Sequence, residues 1–258
     1  LVVVAGAFEA LAVATILPTT LQELGGLAQY GWTFSAFQLT NIVGISLGGD
    51  SDRFGLARAF IAGVLLFCVG LAVSGFASSM LVVVAGRSLQ GLGSGLLYTA
   101  SYAAIPRAYA VDLQPRMLAT LSSAWVIPGL VGPALAGVVA EQLSWRWVFW
   151  GLMPLTLLAA LLALPALRNL PPEPPHPEHA SHVGTALQLG AGACAALIGL
   201  GQERWELALP LAAIGGVVAL RALRALFPPG TLLARSGQPA AVATMLLLTF
   251  AFFGTEAF

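Results

Sequence analysis

Apolar residues run from one end of the chain to the other in stretches of about twenty, separated by short connectors of Gly, Pro, Asp and Ser. The stretches fall at about 1–21, 32–49, 57–77, 80–105, 116–140, 146–167, 183–201, 205–225 and 239–258. No alternation of the half-buried strand type competes with them. Lipid offers no hydrogen bonds to the backbone, so only helices or closed barrels span it. Runs of this length choose helices. The pattern predicts an all-α, multi-pass membrane protein.

Composition narrows this reading. Of 258 residues, 58% are hydrophobic and 9% charged, and the mean hydropathy of +0.89 lies outside the ordinary soluble range. The net charge is zero, with no electrostatic footprint for nucleic acid. All eleven basic residues are arginines, and their placement sets an orientation. Connectors holding Arg53 and Arg58, Arg107 and Arg116, Arg168, then Arg221, Arg224 and Arg235 alternate with connectors that hold none, or one beside an acid (Glu141 with Arg146; Glu203 and Glu206 with Arg204). The arginine-rich set is expected on the cytoplasmic side. Cys68 and Cys194 lie in apolar runs and read as buried thiols. The first run lacks the basic n-region of a signal peptide. Leu1 and Phe258 both fall inside apolar runs, so the chain is expected to be part of a longer protein.

One connector differs from the rest. Residues 168–182 are proline-rich and polar, as in a semi-rigid extended linker, and divide six predicted helices from the remainder. His176, His179 and His182 recur every third residue there, but a proline-broken solvated segment gives no fixed geometry for a metal. No metal site is expected. A second connector, Leu226 to Pro239, holds further prolines and Arg235 and is expected along the membrane surface.

Several residues are out of place in so apolar a chain. Glu9, in the first run, and Glu256, in the last, would each cost several kcal/mol as bare carboxylates at bilayer depth, and an intramembrane acid marks a functional site by default. In the fourth run Arg87, Gln90, Gly91, Ser94, Tyr98 and Ser101 form one helical stripe, which must face protein or a watery cavity rather than lipid. The run from Gly91 to Gly95 lacks a preceding strand and a Walker lysine, so it reads as a close-packing surface, not a phosphate loop. Between the second and third runs, Gly48, Asp52, Arg53, Gly55 and Arg58 make a turn whose first glycine lets two helices approach and whose second reverses the chain. An ordinary positive-inside hairpin accounts for that turn equally well. In the fifth run Gly129, Gly132, Pro133, Ala136 and Gly137 define a smooth face, and Pro128 with Pro133 should bend the helix. Gln38 and Asn41 share a face of the second helix, lining a cavity or bonding between helices. Trp145, Trp147 and Trp150 around Arg146 suit an interfacial belt.

Taken together, these motifs resemble the major facilitator superfamily. Gly48 to Arg58 is similar to its loop between helices 2 and 3, departing at Ala57, where a basic residue is common. Arg87 to Gly93 is similar to its helix 4 motif. Gly129 to Gly137 resembles the antiporter motif of drug:proton exporters, with Ala136 where glycine is usual. Ser144 to Trp150 resembles the fourteen-helix drug-exporter branch. The resemblance implies a six-helix transport bundle at 1–167, the cytoplasmic linker at 168–182 and two additional transmembrane helices at 183–225. A connector at 226–238 and the start of a second bundle at 239–258 would follow. Glu9 and Glu256 then occupy similar places in the first helices of the two bundles.

The expected function is proton-coupled efflux of hydrophobic or cationic drug-like compounds by alternating access in the cell membrane. A buried acid holds a proton when shielded and releases it to water, which makes Glu9 the main proton site, Arg87 its charge partner and Glu256 a second acid. Gln38, Asn41, Gln90, Ser94 and Tyr98 are expected to line the substrate cavity. Gly48, Asp52, Arg53, Gly55 and Arg58 would control the conformational change, and Gly129, Gly132, Pro133 and Gly137 would govern bending and sealing. The expected partners are an apolar or cationic small molecule, protons and membrane lipids, for a monomer without cofactors. Export of a lipid or another endogenous amphiphile is the alternative within the same fold. A non-transporting scaffold or receptor is the alternative of another class, and two buried acids with a polar stripe argue against it. No nucleophile–base pair, metal set or nucleotide loop points to an enzyme.

Overall fold

The computed structural model describes residues 2–49, 55–170, 182–201 and 204–226, together with 240, 242 and 244. Among the described residues all regular structure is helical: α1 (Val2–Leu24), α2 (Leu27–Gly49), α3 (Leu56–Gly75), α4 (Met80–Ala108), α5 (Gln114–Ser123), α6 (Val126–Gln142), α7 (Arg146–Arg168), α8 (Val183–Leu200) and α9 (Trp205–Leu226). Among the described residues seven segments are long and apolar enough to cross a membrane, α5 and α6 counting together as one of 29 residues. The 23-residue α2 is not among them, because Gln29, Thr33, Ser35, Gln38, Thr40 and Asn41 dilute its apolar character.

The predicted fifth helix is two helices, and proline chemistry explains where it breaks. A proline lacks its own N–H and its ring collides with the carbonyl four residues earlier. For Pro128 that carbonyl belongs to Ala124, and the helix is interrupted there, with Ala124 and Trp125 making tight bonds back to Leu121 and Ser122 at 3.3 Å each. Pro133 lies inside a continuous α6. The interruption therefore comes from one of the two expected prolines, and it is a break rather than a bend.

The chain divides into two compact units, Leu1–Ser181 and His182–Phe258. In the first, α4 lies between α2 and α3 and packs extensively on both, while α1 packs on α6 and α7. Lipid tails are as apolar as leucine, so contact between helices here depends on close packing and small residues. The glycines of α4 supply it. Gly91 and Gly95, one turn apart, face the α2 backbone at Phe37 and Asn41; Gly86 and Gly93 face α3 at Gly70 and Gly63. The outward faces carry exposed Leu65, Leu81, Leu130, Leu161 and Leu162, as a lipid-facing surface requires. In the second unit α8 and α9 form a hairpin held the same way, with Gly192 and Gly199 against the α9 backbone and Gly215 against α8.

The tryptophan belt expected at 145–150 resolves differently. Trp145 is 1% exposed and donates its Nε1 hydrogen bond to Glu23 at 2.7 Å. Arg146 lies over the Trp145 ring and donates to Glu23 at 2.6 Å and to the Ala77 carbonyl at 3.0 Å. Trp150 stands edge-on to Phe76, and only Trp147 is largely exposed. The partner of Arg146 is thus Glu23, at the end of α1, and not the neighbouring Glu141, which is exposed. This cluster pins the ends of α1, α3 and α7. Because Glu23 and Arg146 are partly solvated, Glu23→Gln should cost only about 1 kcal/mol. A modest fall in melting temperature in detergent checks it; unchanged melting would remove the cluster from the account of stability.

Candidate functional site

The polar stripe of α4 points into the protein. Arg87, Gln90 and Ser94 are all buried, and so is Glu9 on α1, at 0% exposure. The small side chains of Ala5, Gly6 and Ala12 let α1 lie close to its neighbours, carrying the Glu9 carboxylate inward. There Glu9 Oε1 forms an ion pair with Arg87 Nη1. No hydroxyl, amide or backbone N–H among the described residues bonds to either oxygen of Glu9, so Arg87 is the group that offsets its charge.

Arg87 is gripped from several sides. Its Nη1 donates to Gln90 Oε1 at 2.6 Å and its Nε to the Thr33 carbonyl of α2 at 3.3 Å. Its guanidinium carbon stands 4.1 Å from the centroid of the Phe37 ring, a cation–π contact. Gln90 in turn donates from Nε2 to Ser74 Oγ of α3 at 3.2 Å. A single buried network thus joins α1, α2, α3 and α4.

Along α4 from this network lies a cavity of about 480 Å³, lined by Val3, Ile45, Tyr98, Thr99, Tyr102, Ala103 and Trp125. The Tyr98 and Trp125 rings are stacked, with centroids 6.4 Å apart. Tyr98 and Ser94 both lie against Gly6, where a Cβ would stand 3.0 Å from the tyrosine oxygen. Val3, Gly6 and Glu9 are successive turns of α1, which puts the cavity roughly 9 Å along the helix from the acid. The volume lies within the usual range for small-molecule pockets, and aromatic walls suit flat or cationic guests.

Of the other residues singled out in the sequence, Asn41 donates to the Gly91 carbonyl at 3.4 Å, an interhelical bond, and Gln38 is exposed. Gln90 bonds to Arg87 and Ser74. Gly48 abuts Thr99 of α4, so α4 is the helix that approaches it. Gly55 adopts φ 88° as it caps α3, a left-handed conformation that favours glycine, and Arg58 is exposed on the first turn beyond. Gly132 and Gly137 face Phe8 and Thr15 of α1, with Pro133 half-buried between them, whereas Gly129 is exposed and meets nothing within 4 Å. Asp52, Arg53, Glu256, His176 and His179 lie outside the described residues. Thr33, Phe37, Ser74, Tyr102 and Trp125 were missed. Only Tyr102, one turn beyond Tyr98, had a signal in the spacing; the others come from different helices.

Compared with known proteins, the chain matches the Major Facilitator Superfamily over residues 1–258. It belongs to that superfamily. It is 31% identical over 144 residues to the MFS-type transporter of the acurin A biosynthesis cluster of Aspergillus aculeatus, covering 55% of this chain and 26% of the relative. It is 28% identical over 160 residues to a multidrug efflux pump of Staphylococcus aureus, covering 62% and 36%. The matched region thus spans about a quarter to a third of these curated relatives' lengths. A POT-family transporter of known structure shares the fold, with TM-score 0.60 at 18% identity over 90% of this chain and 56% of that one. The superfamily member described here is a multi-pass membrane protein.

Proposed function

We propose that the protein is a proton-coupled antiporter of the cell membrane that exports hydrophobic or cationic drug-like compounds by alternating access. The observation that carries this reading is the fully buried Glu9–Arg87 pair, two helix turns from an aromatic cavity. A buried ion pair is weak evidence for stability, since apolar replacements often do as well, so its presence is better explained by use. In the proposed cycle a proton from water adds to the Glu9 carboxylate and the pair with Arg87 loosens. Release of that proton restores the pair. Moving one charge across ~100 mV is worth roughly 2.3 kcal/mol, enough to bias a two-state rocker.

Tyr98, Tyr102 and Trp125 would hold the apolar body of the substrate, with Ser94 at the edge, and the similarity to a multidrug efflux pump supports a drug-like guest. In this reading the turn from Gly48 to Arg58 controls the conformational change, the Gly132–Gly137 face seals against α1, and Glu256 serves the second bundle. Six helices at 1–167, a linker, two extra helices at 183–225 and a second bundle from 239 complete the proposed architecture, working as a monomer. Glu9→Gln in the full-length protein should abolish proton-driven efflux of a lipophilic cation dye from reconstituted vesicles. Full proton-driven efflux in that variant would sink the assignment.

A further inference from the structure

Gln90 was expected against the substrate, but its two amide atoms are both engaged elsewhere. Oε1 accepts from Arg87 and Nε2 donates to Ser74 Oγ. Gln90 and Ser74 are both 0% exposed. We propose that Gln90 and Ser74 are positioning residues that hold the Arg87 guanidinium aimed at Glu9 through the part of the cycle when Glu9 carries a proton. The inference rests on the reading of Glu9 as the proton site.

The chemistry behind it is the direction of the amide. A glutamine side chain has a donor end and an acceptor end. Were it reversed, its NH₂ would face the guanidinium and set donor against donor. The donor-only guanidinium sets that direction, and Ser74 Oγ, accepting the Nε2 hydrogen, anchors the far end of the amide so that Oε1 stays in place beside Arg87. When Glu9 is ionised, Arg87 has a carboxylate to hold it in place. When a proton adds to a Glu9 oxygen, that attraction is lost, while Arg87 keeps its own proton and its charge. A buried cation without partners is costly, so it would otherwise swing towards water or the cavity. Three contacts persist that do not depend on Glu9: the Gln90 carbonyl oxygen, the Thr33 backbone carbonyl and the Phe37 ring face. The last two are a backbone oxygen and an apolar ring, so Gln90 is the member whose aim a side chain on another helix controls. Through Ser74, α3 thereby takes part in a site whose acid and base lie on α1 and α4.

The role divides cleanly from substrate contact and from plain packing. In the full-length transporter, with ethidium and a second lipophilic cation dye as probes, Gln90→Leu should lower the maximal proton-driven rate about tenfold, and Ser74→Ala about threefold. The half-saturating dye concentration should stay within about twofold, since neither residue touches the dye. Thermal unfolding in detergent adds a readout that needs no substrate. The destabilisation caused by Ser74→Ala should shrink to about half in a Glu9→Gln, Arg87→Met background, where no guanidinium is left to hold and only the cost of the unpaired Gln90 Nε2 remains. A rise in half-saturation matching the loss of rate would return Gln90 to the substrate cavity and overturn the proposal. Equal destabilisation in both backgrounds would also overturn it, leaving the Ser74–Gln90 bond as packing alone. If Glu9→Gln transports normally while the Ser74 effect still depends on Arg87, the proton-site reading fails and the aiming of Arg87 stands.

Discussion

Arg87→Met will unfold at a much lower temperature than the parent protein, having lost about 3–5 kcal/mol of stability, the usual result of removing one member of a buried ion pair. Glu9 is 0% exposed and no group besides Arg87 bonds to or pairs with its carboxylate among the described residues. Left alone, the acid must remain as an uncompensated charge or take up a proton, and either outcome costs free energy. Methionine keeps most of the side-chain volume, so packing accounts for the smaller part of the loss. The combined variant Glu9→Gln, Arg87→Met should recover most of the stability, since a neutral pair of similar volume has no charge to desolvate. It should not recover proton-driven transport. Thermal unfolding of the three variants in detergent at alkaline pH is the measurement. A stable Arg87→Met protein would mean that Glu9 is held by something other than this arginine.

Single methyl groups on α4 will be nearly as damaging. Gly91→Ala, Gly93→Ala and Gly95→Ala should each cost about 1–3 kcal/mol or more, because the added Cβ must displace backbone and not the end of a flexible side chain. At Gly91 the obstacle is the Phe37 carbonyl, at Gly95 the Asn41 carbonyl, and at Gly93 the Phe67 amide nitrogen. Gly129→Ala is the matched control. It too is a helical glycine in a recognisable motif, but it is exposed and a Cβ there meets nothing within 4 Å. Alanine should be neutral there, or stabilising by up to about 1 kcal/mol through helix propensity. Expression level and melting temperature report both outcomes. Equal behaviour of Gly93→Ala and Gly129→Ala would show that the helices do not approach as closely as described.

The contrast between those glycines shows how far sequence reasoning reaches. Both glycine runs are conspicuous in the chain, and both read as surfaces for close helix contact. Only the α4 run and part of the α6 run have a backbone or side chain opposite them, because the partner's position depends on which helices are neighbours. The same limit explains Gly48, which lies next to the second–third turn in sequence yet packs on Thr99 of α4. It applies to Arg146 as well: Glu141 is the acid beside it in sequence, but its ion-pair partner, Glu23, arrives from the end of α1.

What the sequence determined by itself is the helical, membrane-spanning architecture and the presence of buried polar chemistry. Segment length and hydropathy answer to the bilayer, a solvent common to all such proteins, and an arginine stripe in an apolar helix has few physically tolerable surroundings. It also singled out Glu9 and Arg87 as candidate partners, since an acid and a base in such a chain must each find compensation. The tertiary structure alone decided the rest of the site. Gln90 is engaged by Arg87 and Ser74, Phe37 and Thr33 come to Arg87 from α2, and Trp125 stacks on Tyr98 beside an aromatic cavity. Those partners lie on separate helices, and which faces meet is set by where glycines let backbones approach. That is a property of pairs of helices, which no single stretch of residues contains.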